Sequence, residues 1–168
     1  MKEIWVDFER CIGCLSCTMA CTVEHSASKE IFKAIHEKPL PVGRMRMEGG
    51  PDGQFPVQCR HCEESPCVYA CMAGALMRDE ETGIVLHKQD KCVACWMCVM
   101  VCPFGAILPG YPQKTALKCD LCPERDVPAC VEACPTKALQ FVDYATMIGK
   151  LRRDTTYKFS FPGEGDTP

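Results

Sequence analysis

Sixteen cysteines fall into four runs, and their spacing is what this sequence offers for chemistry. Residues 92–103 read Cys-Val-Ala-Cys-Trp-Met-Cys-Val-Met-Val-Cys-Pro. Cys92, Cys95 and Cys98 recur at intervals of three on one tight loop, so their thiolates can converge on a single [4Fe–4S] cluster. Cys102, followed by Pro103, lies too far along to close the same cage; in two-cluster proteins a cysteine so placed ligates the other cluster. One such run therefore requires another, and the chain supplies three more. Run one, Cys11, Cys14, Cys17 and Cys21, repeats the spacing with Thr22 in place of proline. Run two, Cys59, Cys62, Cys67 and Cys71, has two extra residues after its second cysteine, and Pro66 stiffens that loop. Run four, Cys119, Cys122, Cys130 and Cys134, has the widest loop, holds Pro123 and Pro128, and ends on Pro135. The run at Cys92 is run three.

Cysteine at nearly a tenth of 168 residues marks a disulfide scaffold or a metalloprotein. Met1 leads to Cys11 through Lys-Glu-Ile-Trp-Val-Asp-Phe-Glu-Arg with no apolar signal region and no twin arginine. No stretch approaches the roughly 18 apolar residues of a membrane span. A cytoplasmic protein is expected, and there cysteines bind metal more readily than they pair. Zinc also takes four cysteines, but from two C-x2-C pairs per site, whereas these come in threes with a displaced fourth. The formal charge of −3 counts the thiols as neutral; each cluster site would add about two negative charges. With no long basic stretch, the chain is not a nucleic-acid binder.

The elements that must position these runs are short. Ile4, Val6 and Phe8 alternate with polar residues, as in a half-buried strand. Lys29 to Lys38 suits a short helix stopped at Pro39 and Pro41. A turn at residues 49–53 separates strand-like pieces at Arg44–Met47 and Phe55–Val57, and residues 75–87 read as a hairpin turning at Glu80–Gly83. Four residues after the last cysteine of runs two, three and four stand Ala75-Leu76, Ala106-Ile107 and Ala138-Leu139. This internal repeat suits a strand that leaves a cluster and packs against it. Run one lacks the pair, which suits an insertion at residues 22–58. If runs two and three form one two-cluster module, runs one and four form a second, split around it.

The four runs, their order and this nesting resemble the four-cluster iron–sulfur subunits of formate dehydrogenases and dimethyl sulfoxide reductases. They also resemble the small subunits that accompany carbon monoxide dehydrogenases, hydrogenases and tungsten aldehyde oxidoreductases. The resemblance covers residues 1–142, is strongest at Cys92–Pro103 and Cys119–Pro135, and departs at Cys71-Met72-Ala73, where Pro-Thr is usual. That departure touches loop shape, not ligands. The resemblance implies an α+β fold of two ferredoxin-like modules, one inserted into the other. Residues 1–24 with 112–142 form the outer module and 55–111 the inner one, while 25–54 are an insertion and 143–168 a docking tail. It implies four [4Fe–4S] clusters. Cys11, Cys14, Cys17 and Cys134 hold one, and Cys119, Cys122, Cys130 and Cys21 its neighbour. Cys59, Cys62, Cys67 and Cys102 hold a third, and Cys92, Cys95, Cys98 and Cys71 the fourth.

Arg10, Lys91 and Lys118 each precede a run and either offset cluster charge or are ordinary solvated residues. His61, between two cysteines of run two, either bonds a cluster sulfur or reaches solvent; His25, His36 and His87 read as surface residues. Trp96 and Met97 shield a cluster from water. Met147, Ile148 and Leu151 share a helical face, opposite Lys150, Arg152 and Arg153, and Tyr157, Phe159 and Phe161 follow at alternate positions. This tail either packs on its own domain or docks a partner. No dinucleotide loop, P-loop or nucleophile–base pair appears, so no catalytic residue is expected. The expected role is an electron relay between a catalytic subunit and a second redox subunit or soluble carrier, in a hetero-oligomer. The catalytic partner would be a tungsten or molybdenum enzyme, a carbon monoxide dehydrogenase or a hydrogenase. A free polyferredoxin and a zinc module are the rival readings.

Overall fold

A computed structural model describes residues 2–50, 53–112 and 114–160. In chain order the elements are β1 (Lys2–Val6), α1 (Ser16–Glu24), α2 (Ile31–Ala34), β2 (Arg46–Gly50), β3 (Gly53–Val57), α3 (Pro66–Tyr69), β4 (Leu76–Arg78), β5 (Val85–His87), α4 (Met97–Met100), β6 (Leu108–Gly110), β7 (Thr115–Leu117), α5 (Ala129–Glu132), β8 (Leu139–Asp143) and α6 (Tyr144–Ser160). The architecture is α+β. Among the described residues the strands form four two-stranded antiparallel sheets: β1 with β8, β2 with β3, β4 with β5 and β6 with β7. Helices α2 to α5 are single turns of four residues, too short to stand alone. Each is held by the cysteine loop or turn that feeds it.

The pairing of β1 with β8 joins the chain's two ends, setting Ile4 opposite Phe141 and Val6 opposite Leu139. Helix α1 packs on α5, and α3 on α4. Ile4, Met45, Leu121, Val131 and Leu139 gather with cysteines of runs one and four in one core. Leu76, Val85, Ile107 and Ala116 gather with cysteines of runs two and three in another. Ala116 lies on β7, paired with β6, so the β6–β7 hairpin carries the second core past the boundary expected at residue 112.

Two expected elements differ in extent. The helix over Lys29–Lys38 contracts to α2, because Glu30 is extended and the chain leaves helix well before Pro39. The strand expected at Arg44–Met47 begins at Arg46, because Arg44 and Met45 are engaged with run one. At the C-terminal end the Asp143 carboxylate accepts the Thr146 N–H at 3.0 Å and the Thr146 hydroxyl at 2.5 Å, starting α6. Helix α6 packs back on β8 and β1, with the Lys150 ammonium 4.5 Å from the Trp5 ring centre. It runs through Tyr157 and Phe159; Phe161 lies outside the described residues.

Candidate metal centres

Each run turns its backbone through left-handed residues. In run one these are Gly13 (φ 65°) and Leu15 (φ 64°); in run three, Ala94 (φ 54°) and Trp96 (φ 62°). Runs two and four have His61 (φ 45°) and Leu121 (φ 63°) between their first two cysteines. A side chain in this region costs about 1–2 kcal/mol, so it persists only where the surroundings impose it. The turn aims amides at sulfur: the His61 N–H donates to Cys59 Sγ at 3.4 Å, and the Leu121 N–H to Cys119 Sγ at 3.4 Å.

All sixteen cysteines are free thiols. Cys71, Cys92, Cys95 and Cys98 line one cavity. The Cys59 thiol feels Cys102 and Cys62, and Cys67 feels Cys59 and Cys102. Cys130 feels Cys119, Cys21 and Cys122, and also Cys17. Cys17 and Cys134 are both buried in the first core, with Cys11 packed against it, while Cys14 is exposed. Burial, reinforced by the neighbouring sulfurs, pushes thiols up: Cys67 to about 11, Cys119 to about 12, and Cys130 in the same direction. Without metal these groups stay protonated, and a cationic core must displace those protons to bind.

The last cysteine of each run is met by a later amide. The Ala75 N–H donates to Cys71 Sγ at 3.2 Å and the Ala106 N–H to Cys102 Sγ at 3.4 Å. The backbone at Ala138 and Leu139 likewise bonds Cys134 and holds its thiol low against burial. Leu76, Ile107 and Leu139, next in line, are buried. Run one completes the pattern at a distance. The Arg44 N–H donates to Cys21 Sγ at 3.2 Å, and Met45 is buried beside it. The pair missing after Cys21 in sequence is Arg44-Met45, displaced by the insertion. A fixed offset could not reveal it.

Polar groups surround the sulfurs. His61 is buried, and its Nδ1 accepts the Val85 N–H at 3.0 Å, which puts the ring proton on Nε2. That Nε2 is buried and unpartnered among the described residues, as is the Thr115 hydroxyl oxygen. Burial, with Lys118 nearby, lowers His61 to about 3 and keeps it neutral. Of the three basic residues before the runs, Arg10 and Lys91 are exposed but Lys118 is buried. His25, expected at the surface, is half-buried. Its Nδ1 lies 2.7 Å from the Cys21 carbonyl and its Nε2 3.2 Å from Asp120, which Arg44 also grips. Burial opposes its charge, yet Asp120 and Cys21 raise it to about 9. Nothing in the sequence marked His25, Asp120 and Arg44 as one group, because the end of α1, the loop before β2 and run four supply one member each. Trp96 is half-buried, its ring 5.7 Å from that of Tyr111, whereas Met97 is exposed. His36 is exposed and His87 half-buried.

Converging thiols, amides aimed at sulfur, orphaned donors and a buried cation are what a sulfur-rich, anionic cluster requires, so the residues fit [4Fe–4S] groups. The fold and these thiols define an iron–sulfur protein of ferredoxin-like type. Residues 53–144 match the family described as a 4Fe-4S dicluster domain, and the chain belongs to it. Among its relatives, the "Iron-sulfur protein" of Rhodospirillum rubrum is 39% identical over 157 residues, 83% of this chain and 81% of that protein. The "Electron transport protein HydN" of Escherichia coli (strain K12) is 38% identical over 177 residues, 94% of this chain and 99% of that one. "Protein NrfC" of the same strain is 35% identical over 171 residues, 91% of this chain and 72% of that one. Among the described residues no helix is long and apolar enough to cross a membrane.

Proposed function

We propose that the chain is a non-catalytic electron-transfer subunit that relays electrons between the catalytic subunit of an oxidoreductase and a second redox partner in the cytoplasm. Four [4Fe–4S] clusters would be held by Cys92, Cys95, Cys98 and Cys71; by Cys59, Cys62, Cys67 and Cys102; by Cys119, Cys122, Cys130 and Cys21; and by Cys11, Cys14, Cys17 and Cys134. Such clusters supply one-electron transfer, with potentials set by charge, hydrogen bonds to sulfur and exposure. The modules would be nested, runs two and three within runs one and four; the two cores divide the runs in that way apart from Cys59 of run two, which packs against the core of runs one and four.

The carrying observation is the gradient of exposure across the sets. Cys119, Cys122, Cys130 and Cys21 are all buried, whereas Cys14 and Cys95, in different sets, are exposed. Two sets thus face outward, as a relay with an entrance and an exit requires. Beside Cys14, Leu15, Met19, Ile31, Ile35 and Leu40 line an apolar groove. Beside Cys95, Val93 and Met100 are exposed. The backbone amides of His61, Ala75, Ala106 and Leu121 donate to sulfur, and the His61 Nε2–H, unpartnered among the described residues, would be free to donate to a cluster.

Anaerobic purification of the native complex tests this. The expected result is a brown protein with about sixteen irons and a co-purifying catalytic subunit, of tungsten, molybdenum, carbon monoxide dehydrogenase or hydrogenase type. Elution alone as a small monomer would identify a free polyferredoxin, and a colourless zinc protein would overturn the reading. Truncation after Asp143 that leaves the complex intact would remove α6 from the partner interface.

A further inference from the structure

Lys118 is 3% exposed and, among the described residues, the one buried lysine or arginine. Its ammonium donates to the Val85 carbonyl at 2.5 Å and to the Cys119 carbonyl at 2.6 Å. Val85 belongs to the core of runs two and three, and Cys119 to that of runs one and four, so the side chain ties one core to the other. Among the described residues no carboxylate pairs with it; the nearby Asp120 is taken by Arg44 and His25. Two neutral carbonyls take two of the ammonium's three N–H donors and leave its charge buried and uncompensated, an arrangement proteins avoid. The remaining candidates for the counter-charge are sulfurs. The lysine's charge is felt at Cys59 and Cys67 on one side and at Cys119 on the other. His61, the other buried polar group at this seam, is neutral and adds no charge.

We propose that Lys118 is a shared counter-ion, a positioning residue whose fixed charge raises the reduction potential of both inner clusters, those of Cys59, Cys62, Cys67 and Cys102 and of Cys119, Cys122, Cys130 and Cys21. This rests on the four-cluster reading above. A cation buried beside an anionic group favours the added electron, and burial leaves that attraction poorly screened. Arg10 and Lys91 stand at the same place before runs one and three, but solvent screens them.

The test is a redox titration followed by electron paramagnetic resonance on the full chain, with iron and sulfide counted first. The inner signals are assigned as those altered in Cys102→Ser and Cys130→Ser. In Lys118→Met both inner clusters should become harder to reduce by about tenfold, which is about 59 mV for one electron. The outer two, and all four in Lys91→Gln, should stay in place. Unchanged inner potentials at full iron content would reduce Lys118 to a hydrogen-bonding staple, and a shift in only one inner cluster would overturn the sharing. If Lys118→Met loses iron, Lys118→Arg should keep it and Lys118→Gln should not. Retention by the glutamine variant, or loss by both, overturns the role of charge. A wild-type count well short of sixteen irons would instead defeat the four-cluster reading itself.

Discussion

Run one and run three correspond residue for residue from Cys11 to Cys21 and from Cys92 to Cys102, down to the left-handed turn at Leu15 and Trp96. Both leave their middle cysteine exposed, and both show solvent an aliphatic residue after the first cysteine, Ile12 and Val93, and a methionine, Met19 and Met100. Run two and run four build the same turn with His61 and Leu121, and both side chains are buried. Run four sinks all four cysteines. The same motif thus leaves a cysteine exposed in runs one and three, half-buries all four in run two and buries all four in run four. The motif does not encode the difference. It comes from what covers each loop: β7 and Lys118 lead directly into the seam, whereas the residues before runs one and three form single 3-10 turns at Phe8–Arg10 and Gln89–Lys91 in solvent.

Replacing a ligand in each class should expose this contrast most strongly. Cys130→Ser should lose about four of about sixteen irons and lower the thermal midpoint, because a buried hydroxyl replaces the sulfur among three other ligands. Cys14→Ser, in solvent, should disturb one cluster with the midpoint nearly unchanged. Equal losses of stability would dissolve the distinction between inner and outer runs. Cys102→Ser sharpens the pairing. Its damage should fall on the cluster of Cys59, Cys62 and Cys67, and a changed signal from Cys92, Cys95 and Cys98 would instead mean that each run closes its own cage.

Packing gives the next largest effect. Ile107 is 2% exposed behind run three, and Ile107→Ala should cost about 2–5 kcal/mol in a denaturant titration. Met100, 80% exposed on the same run, should lose under about 0.5 kcal/mol on going to alanine. The smallest effect on the isolated chain is expected from Ile12→Ser and Val93→Ser. Each should leave stability and iron content in place and slow electron exchange with one partner only, read by stopped-flow reduction and reoxidation.

Much of the fold was legible in the cysteines and their echoes. The pairs Ala75-Leu76, Ala106-Ile107 and Ala138-Leu139 mark the buried starts of three segments because the amide that meets the sulfur and the side chain that fills the core are set by the same turn. Hairpins were legible where glycine and acidic residues bend the chain, as between β4 and β5. The short extent of α2 was not, since helix length there is limited by the extended Glu30 and the route back to Arg44, not by the first proline. His25, Arg44 and Asp120 escaped notice for a similar reason: a polar chain assembled from three distant segments leaves no periodicity.

The sequence by itself determined the chemistry. Thiols at intervals of three can do little besides bind a metal or a cluster, whatever the rest of the chain does, because ligand type and loop span are local properties. Tertiary structure decided what that chemistry sees. Lys118, Arg10 and Lys91 are interchangeable in a string of letters, each a cation before a cysteine. Only the meeting of two cores buries the first and leaves the others in water, and burial is what turns a screened surface charge into one that its neighbours feel.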